Sequence, residues 1–207
     1  MALISYSKKF IFVHIYKCAG SSMNSVLSPY CEPKRTDKAL AKIGFRNKKF
    51  RFDSLVPKHP MAKEIRNQLP RKTYDKFFKF AFVRNPWDME VSLYSYMLQN
   101  PKHRQHNLIK SLNSFDDYIE WRVTQDLHCQ YRYILDDDGN QIVDYIGKFE
   151  NLEDDFDNIC QRISISAKLP HVNKSNRAKY TEFYTPRSKK IVEKSFEKDI
   201  EIFKYSF

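Results

Sequence analysis

The sequence predicts an α/β fold built on a parallel sheet, and three stretches carry the prediction. "KFIFVHI" (9–15), "KFFKFAFV" (76–83) and "QIVDYIG" (141–147) are short apolar runs rich in β-forming residues. Each leads into a segment with helical periodicity, and strands that alternate with helices pair in parallel. At 207 residues the chain reads as one domain spanning 1–207, long enough to bury a core.

The elements follow in order. The first run reads as a buried strand, and the serines after it can cap a helix from about Ser22 to Leu27. In "HPMAKEIRNQL", Met61, Ile65 and Leu69 recur every fourth residue, which predicts a helix with Pro60 in its first turn and His59 just before it. After the second strand, Asn85 suits an N-cap and Pro86 the first helical position, with Trp87, Val91, Tyr94 and Leu98 on one face. "SFDDYIEWRV" opens with a Ser-x-x-Asp capping pattern. "DDDGN" (136–140) marks a turn before the third strand, and Leu152, Phe156, Ile159 and Ile163 mark the helix behind it. "TPRSKKIVEKSFEKDIEIF" predicts one capped closing helix with Val192, Phe196, Ile200 and Phe203 inward.

Composition narrows the function classes. The 16 Phe and 13 Tyr argue against a disordered chain. No apolar run is long enough to span a bilayer, and "MALISYSKK" lacks the pattern of a signal peptide, which predicts a soluble, cytoplasmic protein. Cys18, Cys31, Cys129 and Cys160 form no C-x-x-C pair, so reduced thiols are expected rather than disulfides or zinc. His103, His106 and His128 read as polar surface residues, and no metal site is expected. The net charge of +11 favours anionic partners. Part of it is local, since "EPKRTDKALAKIGFRNKKFR" (32–51) holds eight basic and two acidic residues.

The turn "YKCAGSS" lies between a strand and a helix. The first amides of a helix lack partners within it, and with the helix dipole they favour an anion. Gly20 permits close backbone approach or an unusual φ, Ser21 and Ser22 add hydroxyls, and Lys17 adds a mobile positive charge. A phosphate or phosphosulfate suits that set. It is not a Walker A loop, because no glycine here is followed by Lys-Ser or Lys-Thr. Arg84 ends the second strand, with Ser92 in the following helix. About 9 Å of helical rise separates Ser92 from the helix start, so one anion meets both only if Arg84 extends along that face.

"FVHIYKCAGSS" and "FAFVRNPWDMEVSLY" resemble the two nucleotide-binding motifs of sulfotransferases that use 3′-phosphoadenosine-5′-phosphosulfate (PAPS), and most of all those of the carbohydrate branch, such as the heparan 2-O- and chondroitin 4-O-sulfotransferases. "VDYIGKFENLEDDFDNIC" and the closing segment from "LPHVNKSNRAKY" onward are similar to that branch's later segments, so the resemblance runs from about residue 9 to the C-terminus. Tyr16 stands where the family usually has Pro, and Met89 where Arg is frequent.

The resemblance implies a P-loop-like three-layer fold, with helices on both sides of a central parallel sheet. It implies that Lys17, Cys18, Ala19, Gly20, Ser21 and Ser22 hold the 5′-phosphosulfate, with Lys17 stabilising charge on the departing oxygen. It places Arg84 and Ser92 on the 3′-phosphate, and Asn173, Lys174 and Ser175 along the nucleotide pocket. Transfer to a hydroxyl also needs a base, a role that suits histidine near neutral pH. His59 is the first candidate and His171 the second; His14, inside the first strand, reads as a packed structural residue. The expected reaction moves the sulfuryl group of PAPS to a carbohydrate or glycoconjugate hydroxyl, leaves adenosine 3′,5′-bisphosphate and needs no metal, and segment 32–51 would face an anionic saccharide or lipid-linked glycan. Competing readings are a P-loop-type kinase, a basic nucleic-acid-binding protein and a family member that binds nucleotide without turnover; no nucleic-acid recognition motif is present.

Overall fold

The computed structural model describes residues 2–31, 59–170 and 178–207. The chain forms two compact units, residues 1–83 with 132–172, and residues 84–131 with 173–207.

The first unit holds a four-stranded sheet in the order β1-β2-β3-β4. The strands are β1 (Leu3–Ser5), β2 (Phe10–Val13), β3 (Phe78–Val83) and β4 (Tyr145–Lys148). β2 pairs in parallel with β3 (Phe10 opposite Phe78), and β3 with β4 (Phe80 opposite Tyr145). β1 adds an antiparallel edge against β2, with Leu3 opposite Phe12. The sheet is therefore mixed rather than purely parallel. All four residues of β2 are buried, as expected for a strand covered on both faces, and Phe12 stacks on Phe80 with ring centroids 5.4 Å apart. Gly147 lies opposite Phe82, and a Cβ there would stand 2.4 Å from the Phe82 ring, so only glycine lets the ring lie flat against β4.

Helix α1 (Gly20–Leu27) follows β2, and α2 (Ala62–Gln68) and α3 (Arg71–Lys76) precede β3. Pro60 stands before α2 rather than in its first turn. The helix starts after Met61, whose backbone is extended and whose N–H donates to the Glu64 carboxylate at 2.7 Å. The third strand also starts later than its apolar run suggests. Gln141 pairs with Leu135 across the Asp136–Asn140 turn, and the Ile142 carbonyl accepts from the Tyr74 hydroxyl at 2.7 Å. Asp144 then locks the strand start, because its carboxylate accepts the Lys79 N–H at 2.8 Å and meets the Lys79 Nζ at 3.0 Å.

The second unit opens at Arg84 and holds α4 (Pro86–Gln99), α5 (His106–Ser111) and α6 (Phe115–Val123). Asn85 caps α4 by accepting the Trp87 N–H at 3.0 Å, and Ser114 caps α6 by accepting the Asp117 N–H at 3.1 Å. A short helix, α7 (Tyr131–Ile134), begins with the last residue of this stretch of the second unit and continues in the first, and α8 (Leu152–Arg162) belongs to the first. The closing segment forms two helices, α9 (Pro186–Ser195) and α10 (Glu197–Phe203), which break at Phe196. Val192, Phe196 and Phe203 are buried as expected, but Asp199 is fully buried and Ile200 only half so. The break turns a carboxylate inward where a continuous apolar stripe would have kept it in solvent. Among the described residues, no helix is long and apolar enough to cross a membrane.

Candidate active site

In the first unit the residues from His14 to Ser22 form a tight turn between β2 and α1. Lys17 and Ala19 both adopt left-handed backbone conformations, with φ of 64° and 57°. Neither is glycine, so each carries a backbone cost of about 1–3 kcal/mol that the surrounding turn must hold in place. Left-handed residues among right-handed ones turn successive N–H groups toward one side, the geometry of anion-binding nests. Ala19 is the N-cap of α1 and has no side-chain acceptor to offer the first-turn amides. Those amides, the helix dipole and the half-buried Lys17 favour negative charge at this turn. The Cys18 side chain is fully buried and its N–H donates to the Ile15 carbonyl at 3.4 Å. Ser21 is exposed and Ser22 is buried.

Gly20 has an ordinary helical φ and is needed for space instead. A Cβ at this position would come within 1.6 Å of Nε2 of His14, so the imidazole occupies the room that a side chain would take. His14 lies one residue beyond β2, half-buried and stacked on Phe12 at 5.7 Å. It is not a residue packed inside the strand. Its ring also meets the His59 ring edge-on at 4.5 Å, and its backbone carbonyl lies 3.4 Å from Nδ1 of His59. Tyr16, at the position where the family usually has Pro, packs against His59 at 5.4 Å. The structure thus brings His59 to the turn through two residues that sequence patterns did not mark for it. A carbonyl can only accept, so Nδ1 is the donor in that contact.

In the second unit Arg84 is buried, and its guanidinium is held by Asp88. Nε and Nη2 donate to one carboxylate oxygen at 2.8 and 2.7 Å. Arg84 therefore extends along α4 as far as its first turn. Asp88 and Ser92 are four residues apart and share that face, with Ser92 half-buried. Met89 is buried and contributes to packing. The backbone of Arg84 is gripped from both sides by Gln130, whose Oε1 accepts the Arg84 N–H and whose Nε2 donates to the Arg84 carbonyl, each at 2.8 Å.

His171, Asn173, Lys174, Ser175 and segment 32–51 lie outside the described residues. His106 turns Nδ1 to the Met97 carbonyl at 3.0 Å, while Nδ1 of His103 accepts the Gln105 N–H at 3.2 Å. Among the described residues, no group of three or more His, Cys, Asp or Glu side chains could hold a metal ion.

The sequence profile of the Sulfotransferase family matches residues 1–206. The chain belongs to that family, and the enzyme is a PAPS-dependent sulfotransferase. An uncharacterised protein of Archaeoglobus fulgidus is 33% identical over 108 residues, which cover 51% of this chain and 82% of that protein. The crystal structure of mouse sulfotransferase SULT7A1 complexed with PAP superposes with a TM-score of 0.56 at 13% identity, over 96% of this chain and 86% of that chain. This likeness establishes the mixed α/β fold of sulfotransferases.

Proposed function

We propose that the enzyme transfers the sulfuryl group of PAPS to a hydroxyl of a carbohydrate or glycoconjugate, with His59 as general base. The observation that carries the reading is the position of His59, fixed against the β2–α1 turn through the backbone and ring of His14. The phosphosulfate would lie on the amides of that turn, and the 3′-phosphate would go to Arg84 and Ser92. Nε2 of His59 takes the acceptor's proton as its oxygen attacks sulfur. The new O–S bond forms while the bond from sulfur to the 5′-phosphate oxygen breaks, and adenosine 3′,5′-bisphosphate leaves. Lys17 and the turn amides offset the charge that develops on the departing oxygen. The reading treats 1–207 as one sulfotransferase domain, supported by a family match that runs through residue 206.

A saccharide acceptor is supported by the similarity of the four quoted segments to the carbohydrate branch, and an anionic one by the charge of 32–51. Calorimetric titration with adenosine 3′,5′-bisphosphate, AMP and ATP tests the donor site, and a radiolabelled PAPS screen over sulfated and unsulfated glycans tests the acceptor. Tight binding of the bisphosphate with label on a glycan is the expected result. A preference for ATP, or label on phenols and small alcohols alone, would overturn the reading. An anionic acceptor also predicts a KM that rises with salt.

A further inference from the structure

We infer that Gln130 and Asp199 are positioning residues for nucleotide recognition, acting through the backbone of Arg84. The inference rests on the reading of Arg84 as a ligand of the 3′-phosphate. Asp199 is fully buried on α10, and its two carboxylate oxygens accept the N–H groups of Gln130 and Tyr131, each at 2.8 Å. Gln130 is also fully buried, and it spends its side-chain amide on both backbone groups of Arg84. A continuous chain of short bonds thus runs from the last helix to the residue at which β3 gives way to α4.

The position of that chain has a functional meaning. Arg84 stands between the end of β3 at Val83 and the start of α4 at Pro86, outside both elements. Asn85 closes the other side, capping α4 through Oδ1 and donating from Nδ2 to the Ser206 carbonyl at 2.8 Å. With the main chain held on both sides and the guanidinium tied to Asp88, the fork is aimed before any anion arrives. Preorganisation of this kind raises affinity by removing ordering costs from the binding step. An aliphatic side chain at 199 would fill the space without burying a charge, so what the carboxylate supplies is its two acceptors.

The test compares adenosine 3′,5′-bisphosphate with AMP, which lacks the 3′-phosphate, by calorimetry on the full chain. The ratio of the two Kd values isolates the contribution of the 3′-group. Arg84→Ala should bring the ratio close to one. Gln130→Met and Asp199→Asn should each lower it about tenfold, as expected when charge-assisted bonds to phosphate lose their alignment. Gln130→Met should add nothing in the Arg84→Ala background. A ratio unchanged in both positioning variants, or two affinities that fall in parallel, would overturn the inference while leaving Arg84 in place. A ratio unchanged in Arg84→Ala would remove the underlying reading and the inference with it. Should Asp199→Asn or Gln130→Met fail to fold by circular dichroism, Gln130→Glu decides, since it keeps the acceptor for the Arg84 N–H and loses the donor.

Discussion

Nδ1 of His59 points at the backbone carbonyl of His14 across 3.4 Å, and the two imidazoles meet edge to face at 4.5 Å. The contact makes Nδ1 the donating nitrogen of His59. It also joins the imidazole to the strand end from which the β2–α1 turn departs. If His59 is the base, His59→Ala should lower kcat by about 10²–10⁴ and leave the Kd for adenosine 3′,5′-bisphosphate unchanged. Steady-state kinetics beside calorimetry separates the two effects. Equal losses in binding and turnover would assign His59 to the nucleotide instead.

Gly20→Ala should damage the same junction from the other side. The new methyl would fall on the His14 imidazole, and relief requires the ring to leave its stack on Phe12. Overpacking of this kind costs about 1–3 kcal/mol, and His59 should lose its partner as His14 moves. Thermal melts should show the lower stability and kinetics the lower kcat. Adding His14→Ala to Gly20→Ala should restore part of the stability without restoring turnover, whereas recovery of neither would show that the clash is not what the methyl disturbs.

The β2–α1 turn and the start of α4 differed from their surroundings in how far they could be read from sequence. β2, β3 and the start of α4 were legible because their signals are local: unbroken β-forming runs, then an Asn-Pro that fits a cap and a first helical position. The backbone strain was not legible, because the sequence offers Gly20 as the flexible residue while the structure places the left-handed conformations at Lys17 and Ala19 on either side of Cys18. His14 looked like strand interior because the apolar run continues through Ile15, although pairing ends at Val13. Asp199 lay outside the apolar stripe read for the last helix, and the amides that its carboxylate accepts lie 69 and 68 residues away in the chain. β1 is three residues long and precedes a polar turn, too short for a periodic pattern to register.

The buried cluster of Glu90, Tyr118 and Arg122 makes a prediction about stability alone. Glu90 is fully buried, accepts from the Tyr118 hydroxyl at 2.8 Å and lies 3.3 Å from Nε of Arg122. Burial pushes the Glu90 carboxyl above its ordinary range, against the pull of Arg122 and the Tyr118 bond. Tyr118→Phe removes one bond to that carboxylate and should cost about 1.5–3 kcal/mol in urea unfolding, with kcat and KM unchanged. A cost below about 0.5 kcal/mol, within the range of ordinary surface substitutions, would mean that the hydroxyl does not support the carboxylate.

His128 contributes to the pH dependence of stability with a sign that follows from its burial. Burial, aided by the positive charge of Arg122 and opposed by Asp126, lowers its pKa below the ordinary histidine value of 6.5. In the unfolded chain the imidazole binds its proton near 6.5, but in the fold it does so only at lower pH. Between those two points the unfolded state holds more protons, so stability falls as the pH drops through the window. Above 6.5 both states are neutral and His128 contributes no slope; below the folded pKa both are charged and the loss is complete. His128→Gln removes the titrating group and should flatten this part of the profile. Chemical denaturation of both proteins from pH 7.5 to 5 reads the difference directly. The stability of the parent should drop relative to the variant as the pH falls below 6.5, and a difference that stays constant across the range would show that the imidazole is as easily protonated in the fold as outside it.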